Sequence, residues 1–391
     1  MNFSAKVKKF IEQHLLDEQQ PVNDDRLSNY FYLDIMKCIA IIFVIAYHTG
    51  ALNNNIIEDP GINTYINYFI STLVSSCVPI FFFVNGFLLL NKPIKLNKLV
   101  HKVFNTLFIY LFWRYATFPI VYGINGIPFD SKSIWADFMQ LKAGYTNHLW
   151  FLTALIGIYI LYPIIKQTFD TNFSFFKYFL IGVFLMSFGT RLLGQISDII
   201  NYNFRGELDW GITKFLNSFN KFSSTYGFGL VYFMIGGLFF KFKNYRIKKS
   251  VVLIVLVISM LISLSYGIMM SNASNEIYDV VWSGYDVIPT ILITCSLLFL
   301  FNTIKYNNGI FHKIIMVIGR NSLGIYLLHN IVILTTKGPF MALWGQSNFL
   351  IRYTYVFVVL FLSLIINIIL KKIPILNNVI TIQSKKTPNL A

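Results

Sequence analysis

Residues 33–52 read LDIMKCIAIIFVIAYHTGAL and carry the pattern from which the fold can be predicted. This stretch has about the 20 residues that a helix needs to cross a bilayer, yet it contains Asp34, Lys37 and His48. Further apolar runs of similar length lie near residues 68–90, 103–124, 148–165, 178–196, 225–240, 250–270, 287–303, 314–335 and 353–370. The sequence therefore predicts an all-α, polytopic transmembrane helix bundle of about ten spans.

Composition excludes the soluble classes of protein. Only 13% of the 391 residues are charged and 55% are hydrophobic, whereas a soluble domain carries about 25% charged residues to coat its surface. The three cysteines, Cys38, Cys77 and Cys295, are odd in number, lie in apolar stretches and form no CxxC pair. We therefore expect neither a disulfide framework nor a metal site.

The net charge of +15 is explained by its distribution. With the N-terminus inside, 22 of the 32 basic residues fall on the inner side. The spans hold Lys37 and Arg114, and the outer segments hold only Lys132, Lys142, Arg191, Arg205, Lys214, Lys221, Lys337 and Arg352. Cytoplasmic segments of membrane proteins are enriched in Lys and Arg, so we predict that both termini are cytoplasmic. The excess charge then needs no nucleic-acid partner.

The chain is predicted to divide into three parts. Residues 1–32 form a cytoplasmic N-terminal arm, residues 33–371 the transmembrane domain, and residues 372–391 a cytoplasmic tail. Apolar residues recur at helical spacing from Phe3 to Leu15 with lysines between them. That pattern suits an amphipathic helix on the lipids of an anionic inner leaflet, and it suits a solvated arm without function equally well. No apolar signal-peptide core precedes the first span.

The first span carries a cationic and an imidazole side chain on one helical face. Lys37 and His48 are eleven residues apart, which is about 16 Å and almost three whole turns. Asp34 lies three residues before Lys37 and can pair with it. The basic end suits an anionic cytosolic cosubstrate, and a histidine farther out suits a general base. The alternative is a lysine that snorkels to the inner headgroups and an incidental histidine near the outer interface.

Later spans and their flanks contain further polar and aromatic residues that could take part in a site. Asn85 precedes a glycine in the second span, and Lys98 and Lys102 follow it, a set that either grips phosphates or reflects ordinary positive-inside charge. His329 in the ninth span is predicted at a depth similar to that of His48. Trp150 opens the fourth region, where a tryptophan is more often an interface anchor than a substrate platform.

These residues occur in five ordered blocks across nearly the whole chain. The blocks are Asp34, Lys37 and His48; residues 81–87 (FFFVNGF); Trp150-Phe151-Leu152 with Tyr159 and Pro163; residues 232–237 (YFMIGG); and residues 322–329 (SLGIYLLH). In this arrangement the chain resembles the acyltransferase 3 family of integral membrane proteins. Two departures from that family's pattern are Lys37, where Arg is usual, and Asn85, where Ser is usual. Lysine keeps the charge but loses the bidentate fork, and Asn85 cannot act as a hydroxyl nucleophile.

The resemblance implies transfer of an acyl group, most often acetyl from cytosolic acetyl-CoA, to a hydroxyl of a cell-surface polysaccharide or lipid-linked glycan. Acyl-CoA would be a substrate, and no permanently bound cofactor is expected. Some relatives carry a fused extracytoplasmic domain that completes the transfer. We see no such domain here and expect the chain to acylate its acceptor itself or to hand the acyl group to a separate extracytoplasmic partner. The abundance of Asn, Ile and Lys indicates an AT-rich genome, so we expect the plasma membrane of a bacterium.

The residues expected to act in this reaction fall into two groups. His48 is predicted as general base, with His329 and Tyr326 as catalytic support. The donor-binding residues are predicted to be Asp34, Lys37, Asn85, Lys98 and Lys102. The rival interpretation from another class is a transporter or flippase of a lipid-linked glycan, which needs the same polar interior but consumes no acetyl-CoA.

Overall fold

The computed structural model describes residues 24–52, 55–126, 128, 130–139, 145–204, 227–242, 245, 247–345 and 349–382, and within these ranges every regular element is a helix. The helices are α1 (Asp24–Thr49), α2 (Ile62–Val74), α3 (Cys77–Leu90), α4 (Leu96–Asn125), α5 (Ser131–Phe138), α6 (Trp150–Thr171), α7 (Phe173–Phe184), α8 (Thr190–Asn203), α9 (Gly227–Lys241), α10 (Lys249–Ser274), α11 (Ile288–Phe301), α12 (Ile310–Arg320), α13 (Ser322–Trp344), α14 (Phe349–Lys371) and α15 (Pro374–Ile380). Short 3-10 turns at Asn147–Leu149 and Trp282–Gly284 precede α6 and α11, and a π-helical turn at Leu185–Gly189 joins α7 to α8. The predicted all-α membrane fold is confirmed. The amphipathic helix predicted for the N-terminal arm lies outside the described residues.

The number of spans differs from the predicted ten. Seven helical stretches within the described residues are long and apolar enough to cross a membrane, and α12 with α13 forms an eighth if this bent pair is one span. Two predicted spans correspond to α9 and α11, whose described parts have only 15 and 14 residues. At 1.5 Å per residue these helices are about 22 Å long, shorter than the hydrocarbon core of about 30 Å. The count of ten is therefore not confirmed.

Helix α1 runs through the middle of the bundle. It contacts α3, α12, α13 and α14, and the side chains of Met36, Ala40, Ile41 and Ile45 are completely buried. The backbone leaves helical geometry at Tyr30, so the spanning part of α1 begins there. Because α1 is surrounded, its polar residues meet other helices.

Helices α3 and α9 pack backbone to backbone at two glycines. A Cβ atom added at Gly86 would lie 1.7 Å from the carbonyl oxygen of Phe233, and one added at Gly236 would lie 2.0 Å from that of Phe83. Small residues permit this close approach between transmembrane helices. Asn85, the neighbour of Gly86, hydrogen-bonds to Tyr159 on α6.

The bend of 76° between α12 and α13 is held by a buried polar group. The Oδ1 atom of Asn321 accepts hydrogen bonds from Asn367 Nδ2 and Lys371 Nζ, both at 2.7 Å. Just before the bend, a Cβ atom on Gly319 would lie 2.5 Å from the carbonyl oxygen of Asp34. The bend therefore seats α12 and α13 directly on α1.

The segment that follows α14 packs back onto the bundle. Trp113 Nε1 on α4 donates to the carbonyl oxygen of Val379 at 2.7 Å, and Val379 and Ile380 are buried. The sequence predicted a tail from residue 372. Its first part is thus a helix docked on α4, and residues 383–391 lie outside the described part of the chain.

Candidate active site

Three histidines from distant parts of the chain meet at the C-terminal end of α1. The ring centroid of His48 lies 5.1 Å from that of His329 on α13 and 6.3 Å from that of His148, and the latter two rings are 5.2 Å apart. His148 and His329 are 5% and 0% exposed, whereas His48 is exposed. This histidine cluster, His48, His148 and His329, is therefore open to a substrate on the side of His48.

A hydrogen bond fixes the proton of one of the two buried imidazoles. His329 Nδ1 lies 2.5 Å from the carbonyl oxygen of Tyr326 and must donate, which leaves a lone pair on Nε2. His148 Nδ1 lies 3.4 Å from the amide nitrogen of Asn330. Both Nε2 atoms are buried and have no hydrogen-bond partner among the described residues. Two buried imidazole nitrogens are thus available to a ligand.

Helix α13 fixes the turn that carries His148. The Tyr326 hydroxyl donates to the carbonyl oxygen of His148, and Asn330 Nδ2 donates to that of Tyr145 at 2.6 Å. The Tyr326 ring also lies 5.7 Å from the rings of both buried histidines. Tyr326, predicted as catalytic support, therefore contacts the histidines and holds one of them by its backbone.

The other end of α1 carries a cluster of charges. Lys37 Nζ lies 2.6 Å from Asp34 Oδ1, the pairing predicted from their spacing. Arg320, the last residue of α12, places its Nε atom 3.7 Å from Asp34 Oδ2. We call Asp34, Lys37 and Arg320 the basic cluster, because its two cations share one carboxylate and leave an excess positive charge.

The remaining predicted donor-binding residues gather around Tyr159 on α6. The Tyr159 hydroxyl donates to Asn85 Oδ1 at 3.2 Å, and Asn85 Nδ2 donates to the carbonyl oxygen of Phe81 at 2.9 Å. Lys102 Nζ lies 4.2 Å from the centroid of the Tyr159 ring, a cation–π contact. Lys98 is half-buried one turn earlier on α4. The residues predicted to bind the donor thus form two clusters.

Sequence reasoning named His48 and His329 but passed over His148, Asn330 and Arg320. The signal for His148 was present, because an ionisable residue lies two positions before Trp150 at the start of a span. Its partnership with the other histidines depends on helix packing and could not be read from spacing. Within the described residues, no group of three or more His, Cys, Asp or Glu side chains is arranged to hold a metal ion.

Comparison with known proteins adds one match. No curated protein and no solved structure matches the chain significantly. A family model described as an acyltransferase domain matches residues 30–370, which include both the basic cluster and the histidine cluster. With its apolar helices and a match over nearly the whole length, the chain belongs to the acyltransferase 3 family of integral membrane acyltransferases.

Proposed function

We propose that this protein is a membrane O-acyltransferase that moves an acyl group, preferably acetyl, from cytosolic acyl-CoA to a hydroxyl of a surface polysaccharide or lipid-linked glycan in a bacterial plasma membrane. The observation that carries the proposal is that α1 joins the basic cluster to the histidine cluster. Lys37 and His48 lie about 16 Å apart along this one buried helix. A donor bound through its phosphates at one end can therefore present its acyl group toward the other.

The basic cluster and the Tyr159 group would hold the donor. The phosphates of coenzyme A carry several negative charges, and hydrogen bonds to ionised groups are roughly twice as strong as neutral ones. Lys37 and Arg320 share the single carboxylate of Asp34, so their charge is not neutralised locally. Lys102 and Lys98 on α4 would supply further cations, and Asn85 a neutral hydrogen-bonding group.

The histidine cluster would perform the transfer. His48 is the accessible imidazole and takes the proton from the acceptor hydroxyl as its oxygen attacks the thioester carbon. The carbon–sulfur bond then breaks, the thiolate leaves with the bonding electrons, and the proton on His48 passes to that sulfur. The products are an ester and free coenzyme A, with every atom of the reactants retained.

The two buried imidazoles would support opposite sides of this step. With its proton on Nε2, His148 would be a donor for the oxyanion that forms on the thioester carbonyl, a role that is worth about 100-fold or more in rate where it has been removed from other enzymes. The Nε2 lone pair of His329 can accept a hydrogen bond from the ring of His48 and orient it. The carbonyl oxygen of Tyr326 holds the proton of His329 on Nδ1, which leaves Nε2 free to accept.

The test uses purified protein with radiolabelled acetyl-CoA and surface glycan from the same cells. Parent protein should release coenzyme A and label the glycan as an alkali-labile ester, and His48→Ala should lose both activities at unchanged membrane levels. The matched control is His312→Phe, which removes a distant imidazole and keeps a ring against Phe31 and Tyr306. Full activity of His48→Ala would contradict the assignment of His48 as general base. Glycan translocation without acetyl-CoA consumption would favour the flippase function.

A further inference from the structure

Three aromatic side chains form a shelf beside the histidine cluster. Trp150 opens α6, Trp282 lies in the 3-10 turn before α11, and Tyr285 follows that turn. Their ring centroids are 5.6 Å apart for the two tryptophans and 6.1 and 5.7 Å from Tyr285 to Trp150 and Trp282. Tyr285 is 6% exposed, Trp150 is half-buried and Trp282 is 49% exposed. The aromatic shelf, Trp150, Trp282 and Tyr285, thus has buried support and one open ring.

The shelf is attached to the histidine cluster through two chain segments. Trp150 follows His148 by two residues. On the other side, the Tyr47 hydroxyl donates to Asp279 Oδ2 at 2.5 Å, while Asp279 Oδ1 accepts from the backbone nitrogen of Trp282 at 3.0 Å. The Tyr47 ring lies 5.3 Å from the ring of His48. One carboxylate therefore joins the turn of Trp282 to the part of α1 that carries His48.

A charged pair borders the same turn. Arg191 Nη2 on α8 donates to the carbonyl oxygen of Ser283 at 3.3 Å and to the hydroxyl of Tyr278 at 2.7 Å, and its Nε lies 3.5 Å from Asp286 Oδ1. The side chains of Arg191 and Asp286 are 31% and 25% exposed. Burial raises the pKa of the Asp286 carboxyl, and the Arg191 charge opposes that rise. Ser283 directly follows Trp282 and Asp286 directly follows Tyr285, so the charged pair lies beside the shelf.

This arrangement differs from an aromatic anchor at the membrane interface. Such an anchor needs only an amphipathic ring at headgroup level. Here the turn of Trp282 is fixed by a carboxylate, its ring is held by two inner aromatic rings, and a charged pair lies alongside. Pockets for small polar molecules combine apolar and aromatic walls with a few placed polar groups.

We propose that the aromatic shelf binds a pyranose ring of the acceptor glycan and presents one of its hydroxyls to His48. One face of a pyranose carries mainly C–H bonds and packs on an aromatic ring, while its rim carries hydroxyls for Arg191 and Asp286. This inference rests on the proposed function and adds to it the binding position of the acceptor sugar. It also gives Trp282, which none of the five sequence blocks contains, a role in acceptor binding.

The test separates acceptor from donor. Trp282→Ala should raise the KM for the glycan about fivefold to tenfold, the size of effect expected for a lost aromatic contact, and should leave the KM for acetyl-CoA unchanged. Trp282→Phe should recover part of the loss. Trp344→Ala, which removes a tryptophan that is 63% exposed at the end of α13, is the matched control and should match the parent.

A binding measurement without turnover distinguishes failure of the shelf from failure of the proposed function. Glucose, galactose and N-acetylglucosamine oligosaccharides are titrated into purified protein without acetyl-CoA, and tryptophan fluorescence is followed. Binding by the parent and its loss in Trp282→Ala would support the shelf even if no transfer occurred. Normal transfer with an unchanged glycan KM in Trp282→Ala would contradict sugar binding by the aromatic shelf and would leave the proposed acyltransferase function unaffected. Lower membrane levels with unchanged kinetics would instead identify Trp282 as an interface anchor.

Discussion

At the scale of single residues, the site depends on how each polar side chain is paired. His329 carries its proton on Nδ1, because that nitrogen faces the carbonyl oxygen of Tyr326, whereas His148 Nδ1 faces the amide nitrogen of Asn330. Their unpaired Nε2 atoms would each cost about 1–3 kcal/mol if they stayed without a partner. Retaining such atoms is reasonable in a site where substrate supplies the missing hydrogen bonds.

Lys37 gives a prediction at this scale. Lys37→Ala should raise the KM for acetyl-CoA about tenfold or more, because a hydrogen bond to a charged group contributes roughly 1.5–3 kcal/mol. The KM for the glycan should not change, and Lys37→Arg should restore most of the donor affinity because it keeps the charge. Steady-state kinetics with each substrate varied in turn measures this.

The control for Lys37 is a cation of the same type far from the basic cluster. Lys337→Ala removes an exposed lysine on α13, beyond His329, and should leave the donor KM at the parent value. An unchanged KM for acetyl-CoA in Lys37→Ala would mean that Lys37 only snorkels to the headgroups.

At the scale of helices, backbone contacts decide where the side chains meet. The glycine contact between α3 and α9 lies next to Asn85, which hydrogen-bonds to Tyr159. The bend between α12 and α13 brings Arg320 close to the carboxylate of Asp34 and the ring of His329 close to that of His48. Neither contact is a local property of a helix. Each requires two chain segments to fit at a distance that only small residues or a buried amide permit.

Gly86 tests the first of these contacts. Gly86→Ala should lower the thermal stability of the purified protein by several degrees, because the added methyl group would lie 1.7 Å from the carbonyl oxygen of Phe233 and the helices must separate. Gly157→Ala in α6 is the matched control, since a Cβ atom there meets nothing within 4 Å. The melting temperatures of both variants are measured from size-exclusion profiles after heating in detergent. Equal melting temperatures for Gly86→Ala and Gly157→Ala would contradict the packing of α3 on α9.

At the scale of the whole molecule, the two ends of the bundle have different chemistry. The basic cluster and Lys371, which bonds to Asn321, lie at one end of α1, and the histidine cluster, Asp279 and the aromatic shelf lie at the other. This separation agrees with the excess of basic residues on the side that we predict to be cytoplasmic. An enzyme that takes its donor from the cytosol and its acceptor from the other side needs such a division.

Orientation can be measured with two cysteine substitutions. Glu276→Cys, in the exposed segment before Asp279, should react with a membrane-impermeant maleimide in intact cells, and Ile375→Cys, 79% exposed in α15, only after permeabilisation. The native cysteines give a low background because Cys38 and Cys77 are buried and Cys295 is partly buried. The reverse labelling pattern would invert the predicted topology.

The local features of this protein follow from the sequence alone. Apolar runs determine which segments form helices, and the spacing of Asp34, Lys37 and His48 determines that they share one face of α1, because both depend on neighbours within a few turns of the same helix. Only the packing of the helices brings His148 to His48 and His329 and lets Arg320 share the carboxylate of Asp34. Those features depend on contacts between residues that are distant in the chain, and helix periodicity carries no information about which helices will become neighbours.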